Sequence, residues 1–284
     1  MPGLVKNRSE VRPPAVAGMF YPSDKLELER LCRDLLSRAG EYVAGFSAGK
    51  VFGIVSPHAG YPYSGFTAAH GYSLLHEGQF KCVIIISPSH REYFDGVSVY
   101  PGVAYSTPLG EVEVDRDLRE TLLSTVPPGL LTESILGHRS EHALEVQLPF
   151  LQVQLKNFTL LPIVMGDQKP EYCRALGDGL ARIVRDQNIL VVASSDLSHY
   201  HDYDTANEMD GICIEHFKAL DSDKLLDDIH LGRCEACGGG PIASSLAAAK
   251  ALGFRHGESL YHCNSGDTTG DKSAVVGYLS ALIS

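Results

Sequence analysis

The sequence predicts an α/β fold: one domain over residues 1–284, with a mostly parallel or mixed central sheet flanked by helices. Three observations carry this. Short runs rich in β-branched residues, at 51–55, 82–86, 159–164 and 189–193, have the unbroken apolar character of strands buried on both faces. Stretches with helical spacing of apolar residues lie between several of them, the alternation expected of a sheet with helices on its faces. At 284 residues the chain sits near the limit of about 250–300 residues for one core, and no repeat, low-complexity tract or linker divides it.

Taken in order, a proline-containing entry leads into 24–39, where Leu26, Leu28, Leu31, Leu35 and Leu36 recur at roughly helical spacing. This predicts an amphipathic helix ending towards Gly40. The strand at 51–55 is followed by a helical pattern over 65–76, and the strand at 82–86 by another at 97–100. Helices over 140–155 and 170–186 flank the strand at 159–164. Strands at 189–193 and 274–283 complete the sheet. Two segments read as loops: the cysteine- and glycine-rich 232–241, and the Asn/Asp/Gly cluster 264–271.

Composition excludes several classes. The net charge of −11 comes with no Lys/Arg cluster, so a phosphate backbone would be repelled and no nucleic-acid partner is expected. The first residues contain no apolar signal core, and no run of 18 or more apolar residues occurs anywhere. Neither secretion nor membrane association is expected, which points to the cytoplasm. Seven scattered cysteines, an odd number, read as reduced thiols in a chain that needs no disulfide staples.

Three predicted strands run into similar endings: Ser56-Pro57-His58, Ser87-Pro88-Ser89-His90, and Ser194-Ser195-Asp196-Leu197-Ser198-His199. Functional groups of open α/β sheets gather beyond the carboxyl ends of the strands, so three polar endings on neighbouring strands converge on one crevice. Proline or serine breaks the ladder there and frees the next side chain to face it. A single histidine is more often a hydrogen-bonded structural residue than a ligand. Together, two neutral imidazoles from different strands are a common start for a first-row metal site, with the third ligand sought in Asp, Glu, His or Cys.

The loop Cys234-Glu235-Ala236-Cys237-Gly238-Gly239-Gly240-Pro241 offers such a ligand. A lone C-x-x-C makes no zinc ribbon, and its plain alternative is a glycine turn with idle thiols. The glycines would nevertheless let Cys237 approach a buried ion, which would hold it as thiolate. Asp196 can orient a ligand or cap a helical turn, and His199 is placed to move protons. His142, after Glu141 at the expected start of the 140–155 helix, should be neutral beside the positive helix end. No P-loop, G-x-G-x-x-G turn or G-x-S-x-G elbow is present, so nucleotide-dependent transfer and α/β-hydrolase chemistry lack their signatures.

Several separated motifs, in order through most of the chain, resemble the Memo family, named for a mediator of ErbB-driven cell motility. They are Pro14-Ala15-Val16-Ala17-Gly18-Met19-Phe20-Tyr21-Pro22, Pro57-His58-Ala59-Gly60-Tyr61 with Ser64-Gly65, and Ser87-Pro88-Ser89-His90. Glu141-His142-Ala143-Leu144-Glu145 with Gln147-Leu148-Pro149, Ser194-Ser195-Asp196 with His199, Cys237-Gly238 with Pro241, and Asn264-Ser265-Gly266-Asp267 continue the match. The resemblance implies a fold like that of class III extradiol dioxygenases, the non-haem iron enzymes that open catechol rings. It also implies His58, His90 and Cys237 as metal ligands, with Asp196 and His199 lining the same pocket. Those dioxygenases bind Fe(II) through two histidines and a carboxylate; a thiolate here argues against catechol opening and would admit copper or zinc as well as iron. Eukaryotic members carry Trp where this chain has Phe20.

The expectation is therefore a metal-binding, redox-active protein with a dioxygenase-like pocket. Iron(II) is the first choice of metal and copper the next, and a small-molecule or peptide ligand binds beside it. His199, Asp196 and His142 are the candidate catalytic residues. Two alternatives come from other classes: an adaptor that uses the same crevice without catalysis, and a zinc-dependent hydrolase.

Overall fold

The computed structural model describes residues 9–46, 49–185 and 187–284. In chain order the elements are β1 (Val11–Arg12), α1 (Lys25–Tyr42), β2 (Gly53–Ser56), α2 (Tyr61–Ser73), β3 (Cys82–Pro88), β4 (Val97–Val99), β5 (Ala104–Thr107), β6 (Gly110–Glu113), α3 (Arg116–Thr125) and β7 (Leu131–Glu133). A 3₁₀ turn at Glu145–Gln147 leads into α4 (Leu148–Gln154). Then come β8 (Thr159–Met165), α5 (Pro170–Val184), β9 (Ile189–Ser194), β10 (His199–His201), α6 (Tyr203–Lys218), α7 (Ser222–His230), α8 (Gly239–Ala251), β11 (Gly257–Asn264), α9 (Ser265–Thr269) and β12 (Val275–Ile283).

Nine of the described strands form one mixed sheet in the order β10-β12-β2-β9-β3-β8-β4-β7, with β11 also paired to β12. The central four, β2, β9, β3 and β8, are mutually parallel. Towards the edges β12 and β4 run antiparallel to their inner neighbours. Period-two alternation sorts the central side chains between two cores. Val83, Ile85, Leu190 and Val192 pack with α1, α2 and α4 on one face, and Ile84, Ile86, Val191 and Ala193 with α3, α5, α6 and α8 on the other. Burial on both faces explains why these strands carry no polar alternation. A small separate sheet has the order β1-β5-β6.

The predicted α/β architecture is the observed one; α3, α6, α7, β5, β6, β7, β10 and β11 have no predicted counterpart, and several other elements differ at their ends. Asp24 caps α1 by accepting the Glu27 N–H at 2.9 Å, but the helix runs through Gly40 to Tyr42, because nothing at that glycine forces a turn. The helix expected over 140–155 begins later: Glu141 accepts the N–H groups of His142 and Ala143 and holds them outside it. The last predicted residue of the 170–186 helix, Asp186, lies outside the described residues. At β2 the ladder ends at Ser56, just before Pro57, but at β3 it runs on through the proline, since Pro88 still faces Met165. The 232–241 loop is a loop only to Gly238, after which Gly239-Gly240-Pro241 open α8. The 264–271 cluster contains a short helix under an Asn264–Asp267 capping box.

Candidate metal centre

The carboxyl ends of β2, β3 and β9 meet where the sequence places them, and the start of α8 closes on the same point. One donor atom each from His58, His90 and Cys237 lies within 4.8 Å of the others. Cys237 Sγ is 3.2 Å from His58 Nε2. A second group under the same limit, His90, Glu141 and His142, shares His90.

Hydrogen bonds distinguish the two groups. Ser194 Oγ donates its one proton to Ala143 O at 2.6 Å, so it accepts from Gln147 Nε2 at 2.8 Å and from His58 Nδ1 at 2.9 Å. His58 therefore carries its proton on Nδ1 and turns a lone pair on Nε2 towards Cys237. Glu141 Oε1 accepts from His90 Nδ1 at 3.0 Å, leaving His90 Nε2 free in the same way. Glu141 also accepts the backbone N–H groups of His90, His142 and Ala143. With its lone pairs so engaged, Glu141 acts as the partner of a ligand histidine and not as a ligand. The set His58, His90 and Cys237 offers two imidazole nitrogens and a sulfur, a combination that can hold a transition-metal ion.

Electrostatics agree with that donor chemistry. Burial, with the charge of His90 adding to it, lowers the pKa of His58 and keeps the ring neutral. Burial pushes the Cys237 thiol well above its usual range, as does the Asp196 charge, so only a nearby cation would favour its thiolate. Burial also opposes ionisation of Glu141, but the hydrogen bond and charge of His90 outweigh it and hold the carboxyl at about 2. His142, its ring 4.8 Å from His90 and 5.5 Å from His58, is lowered to about 4, chiefly by burial and further by the cost of placing a second positive charge beside His58. Its neutrality thus comes from burial and not from a helix end.

Asp196 supports His58 by a different route from the one expected. Its Oδ1 accepts the His58 backbone N–H at 2.7 Å, whereas Ser194 fixes the ring and Asp196 Oδ2 stays 4.0 Å from Nε2. Burial raises the Asp196 carboxyl above its ordinary range. His199 stands farther out, half-buried, with Nδ1 donating to Leu197 O at 2.7 Å and its backbone N–H to Glu235 at 3.1 Å. It makes no hydrogen bond to the three donors.

Other residues build the site without a motif that marks them. Gln168 donates to Cys237 O at 2.8 Å and accepts the Gly240 N–H at 2.6 Å, pinning the cysteine loop. Gly238 is required there, since a Cβ would stand 2.3 Å from Ser194 O. Arg12, fully buried, donates to His138 O at 2.9 Å and to Glu141 O, and pairs with Glu145. Glu145 also accepts from Tyr21 and from the backbone of Ala15 and Val16. That anchor lays residues 12–21 against the site, and the Phe20 ring covers His142 at 4.8 Å. Glu145 lies within a matched motif, but its partners more than 120 residues away leave no local signal.

A MEMO1 family protein of Methanosarcina mazei is 38% identical over 281 residues, covering 96% of this chain and 99% of its own length. Another from Methanopyrus kandleri is 36% identical over 279 residues, covering 95% and 98%. An uncharacterized protein of Escherichia coli K12 shares the fold with a TM-score of 0.57 at 14% identity, over 83% of this chain and all of that one. With the family description "Memo-like protein" matching residues 12–282, the chain belongs to the Memo family.

Proposed function

We propose that this protein is a metal-dependent redox protein in which His58, His90 and Cys237 hold one ion, iron(II) by preference and copper next. One observation supports this above the rest: the Nδ1 atoms of His58 and His90 are each tied to an acceptor, so that both Nε2 lone pairs are free beside the Cys237 sulfur. An ion bound there supplies Lewis acidity and, as iron or copper, one-electron exchange. The sulfur donor in place of a carboxylate argues against catechol opening.

The chain's own residues do the remaining work on a small-molecule or peptide ligand. His199, with Nδ1 donating to Leu197 O, keeps Nε2 as the proton acceptor or donor at the pocket. His142 is held neutral and takes a proton only when its surroundings change. Asp196 fixes the His58 backbone and lies against Cys237, whose N–H it accepts through its carbonyl at 3.2 Å. Phe20 and the segment behind it cover the His142 side and limit water access. We assign the protein to the cytoplasm, a reading supported by its seven free cysteines. No described helix is long and apolar enough to cross a membrane.

The test is metal analysis of protein purified without oxygen or chelator, beside the variant Cys237→Ala. Near-stoichiometric iron or copper in the parent, lost in the variant, is the expected result. Full metal content in a folded Cys237→Ala protein overturns the ligand assignment, and a metal-free parent overturns the metal reading.

A further inference from the structure

The parallel strands that end at the candidate metal centre begin at a second concavity. A cavity of about 520 Å³ opens where the chain enters β2, β3 and β9 and where α5 and α8 end. Small-molecule sites occupy roughly 300–1,000 Å³, so its size suits a compact ligand. The stretch from Phe52, on the cavity wall, to His58 covers roughly 20 Å at about 3.3 Å per residue, so a ligand here stands clear of the metal donors. Phe52, Phe80, Val184, Ile189 and Phe254 give the cavity an apolar floor, with the Phe52 and Phe254 rings 5.3 Å apart. That floor is held in place by the sheet. The Phe52 N–H donates to Ile283 O at 2.8 Å, Phe52 O accepts the Val191 N–H at 3.1 Å, and Asn188 O accepts the Lys81 N–H at 2.9 Å.

The mouth of the cavity is basic. Lys50 and Arg185 line it, both exposed, and no acid stands among its described lining residues. Neither cation has an ion-pair partner among the described residues. In a chain of net charge −11, two cations at one mouth with no acid beside them favour an anion. The opposing influence comes from α5 and α8, since a helix C-terminus carries about half a negative charge. At α8 that charge is largely answered within the chain: Leu252 donates to Ala248 O, Gly253 to Lys250 O and Phe254 to Ala249 O, with Gly253 left-handed at φ +93°. At α5 the Gln187 N–H donates to Val184 O at 3.1 Å. The two full charges outweigh what remains of the two partial ones.

We propose that this cavity is a second binding site, for a small organic anion: a flat, aryl-like body lies on the phenylalanine floor and one carboxylate, sulfonate or phosphate group meets Lys50 and Arg185. Aromatic side chains gain from offset or edge-on contact with another ring beyond the area they bury. Hydrogen bonds between a cationic side chain and an anion are the strong ones, and at the mouth neither group has to leave water entirely. The site is independent of the metal reading and needs no ion at His58, His90 and Cys237.

The experiment titrates the parent protein by calorimetry with 2-naphthalenesulfonate, whose head is a poor metal ligand, and with neutral 2-naphthalenemethanol and cationic 2-naphthalenemethylamine. The anion should bind roughly tenfold more tightly than either of the others. The double variant Lys50→Gln, Arg185→Gln changes two exposed side chains, so it should keep its Tm and bring the preference below about threefold. Amide shifts on adding the sulfonate should centre on Gly253 and Phe254. No binding of the sulfonate to the parent overturns the proposal, as does equal or tighter binding of the neutral or cationic compound. An unchanged preference in the double variant overturns it too. So do shifts centred on Ser195 and Gly238, which would put the compound at the metal centre.

Discussion

Glu141 grips His90 twice, accepting its ring Nδ1 proton at 3.0 Å and its backbone N–H at 2.5 Å. The carboxylate therefore fixes both the tautomer and the position of one proposed ligand. Glu141→Gln keeps the shape but replaces one acceptor oxygen with a donor group. Metal affinity should fall by about 10–100-fold, the usual effect of losing such a partner, with the fold retained. Competition against a chelator of known affinity measures this; an unchanged affinity would show that His90 needs no orientation.

The same carboxyl gives a pH signature. Its pKa is held at about 2 in the fold against an ordinary 4.5, so the unfolded chain binds the extra proton between those values. Its stabilisation, on the order of 3 kcal/mol, is present above pH 4.5 and is lost as pH falls towards 2. His142 acts in the same direction at higher pH. With its folded pKa at about 4 against 6.5, the unfolded chain is protonated first, and stability declines as pH drops from 6.5 towards 4. Chelator-treated parent protein should lose Tm steadily over both windows. His142→Gln should flatten the upper window and Glu141→Gln the lower.

Arg12 and Glu145 are both buried, and Glu145 serves four donors. Glu145→Gln leaves the guanidinium without its counter-charge and should cost about 3–5 kcal/mol in urea unfolding. The double variant Arg12→Met, Glu145→Leu should recover only part of this. The N–H groups of Ala15 and Val16 would still lack an acceptor, at roughly 1–3 kcal/mol each. Full recovery would show that the charge pair alone mattered.

Gly238 offers a test of close approach. In Gly238→Ala the new methyl would stand 2.3 Å from Ser194 O, a backbone atom that cannot swing aside. The loop must move, and Cys237 moves with it. Metal content should fall sharply and Tm by several degrees, whereas Gly211→Ala in α6, whose Cβ meets nothing within 4 Å, should leave metal content unchanged. Equal metal content in both variants would separate the Cys237 position from the loop.

The strand ends were legible because the central strands are covered on both faces. Their apolar runs stop abruptly at Ser56, Ser87 and Ser194, and the polar residues beyond them had few places to go. Position along the strand is a local property, so His58 and His90 could be read. Pairing is not. Glu141 and His90 are 51 residues apart, and Ser194 reaches across to a ring set 136 residues earlier. Helix α8 was hidden for another reason: its glycine-rich opening resembles a turn, and burial nearly all round leaves no apolar stripe to detect. The bulge where β10 pairs with β12 escaped because Tyr200 is an ordinary strand residue until its φ is known.

The anchoring of residues 12–21 by Glu145 has a consequence for how the molecule comes into being. The wall over His142 comes from the beginning of the described chain, and the partner of β10 is β12, near its end. The centre is thus a junction of sequence-distant pieces, and such contacts form late and slowly, after the loops between them have closed. A nascent chain still lacking β12 would hold His58, His90 and Cys237 and yet leave the crevice open on one side. Capture of an ion in the finished geometry would then mark completion of folding and deny partly made chains a redox-active metal.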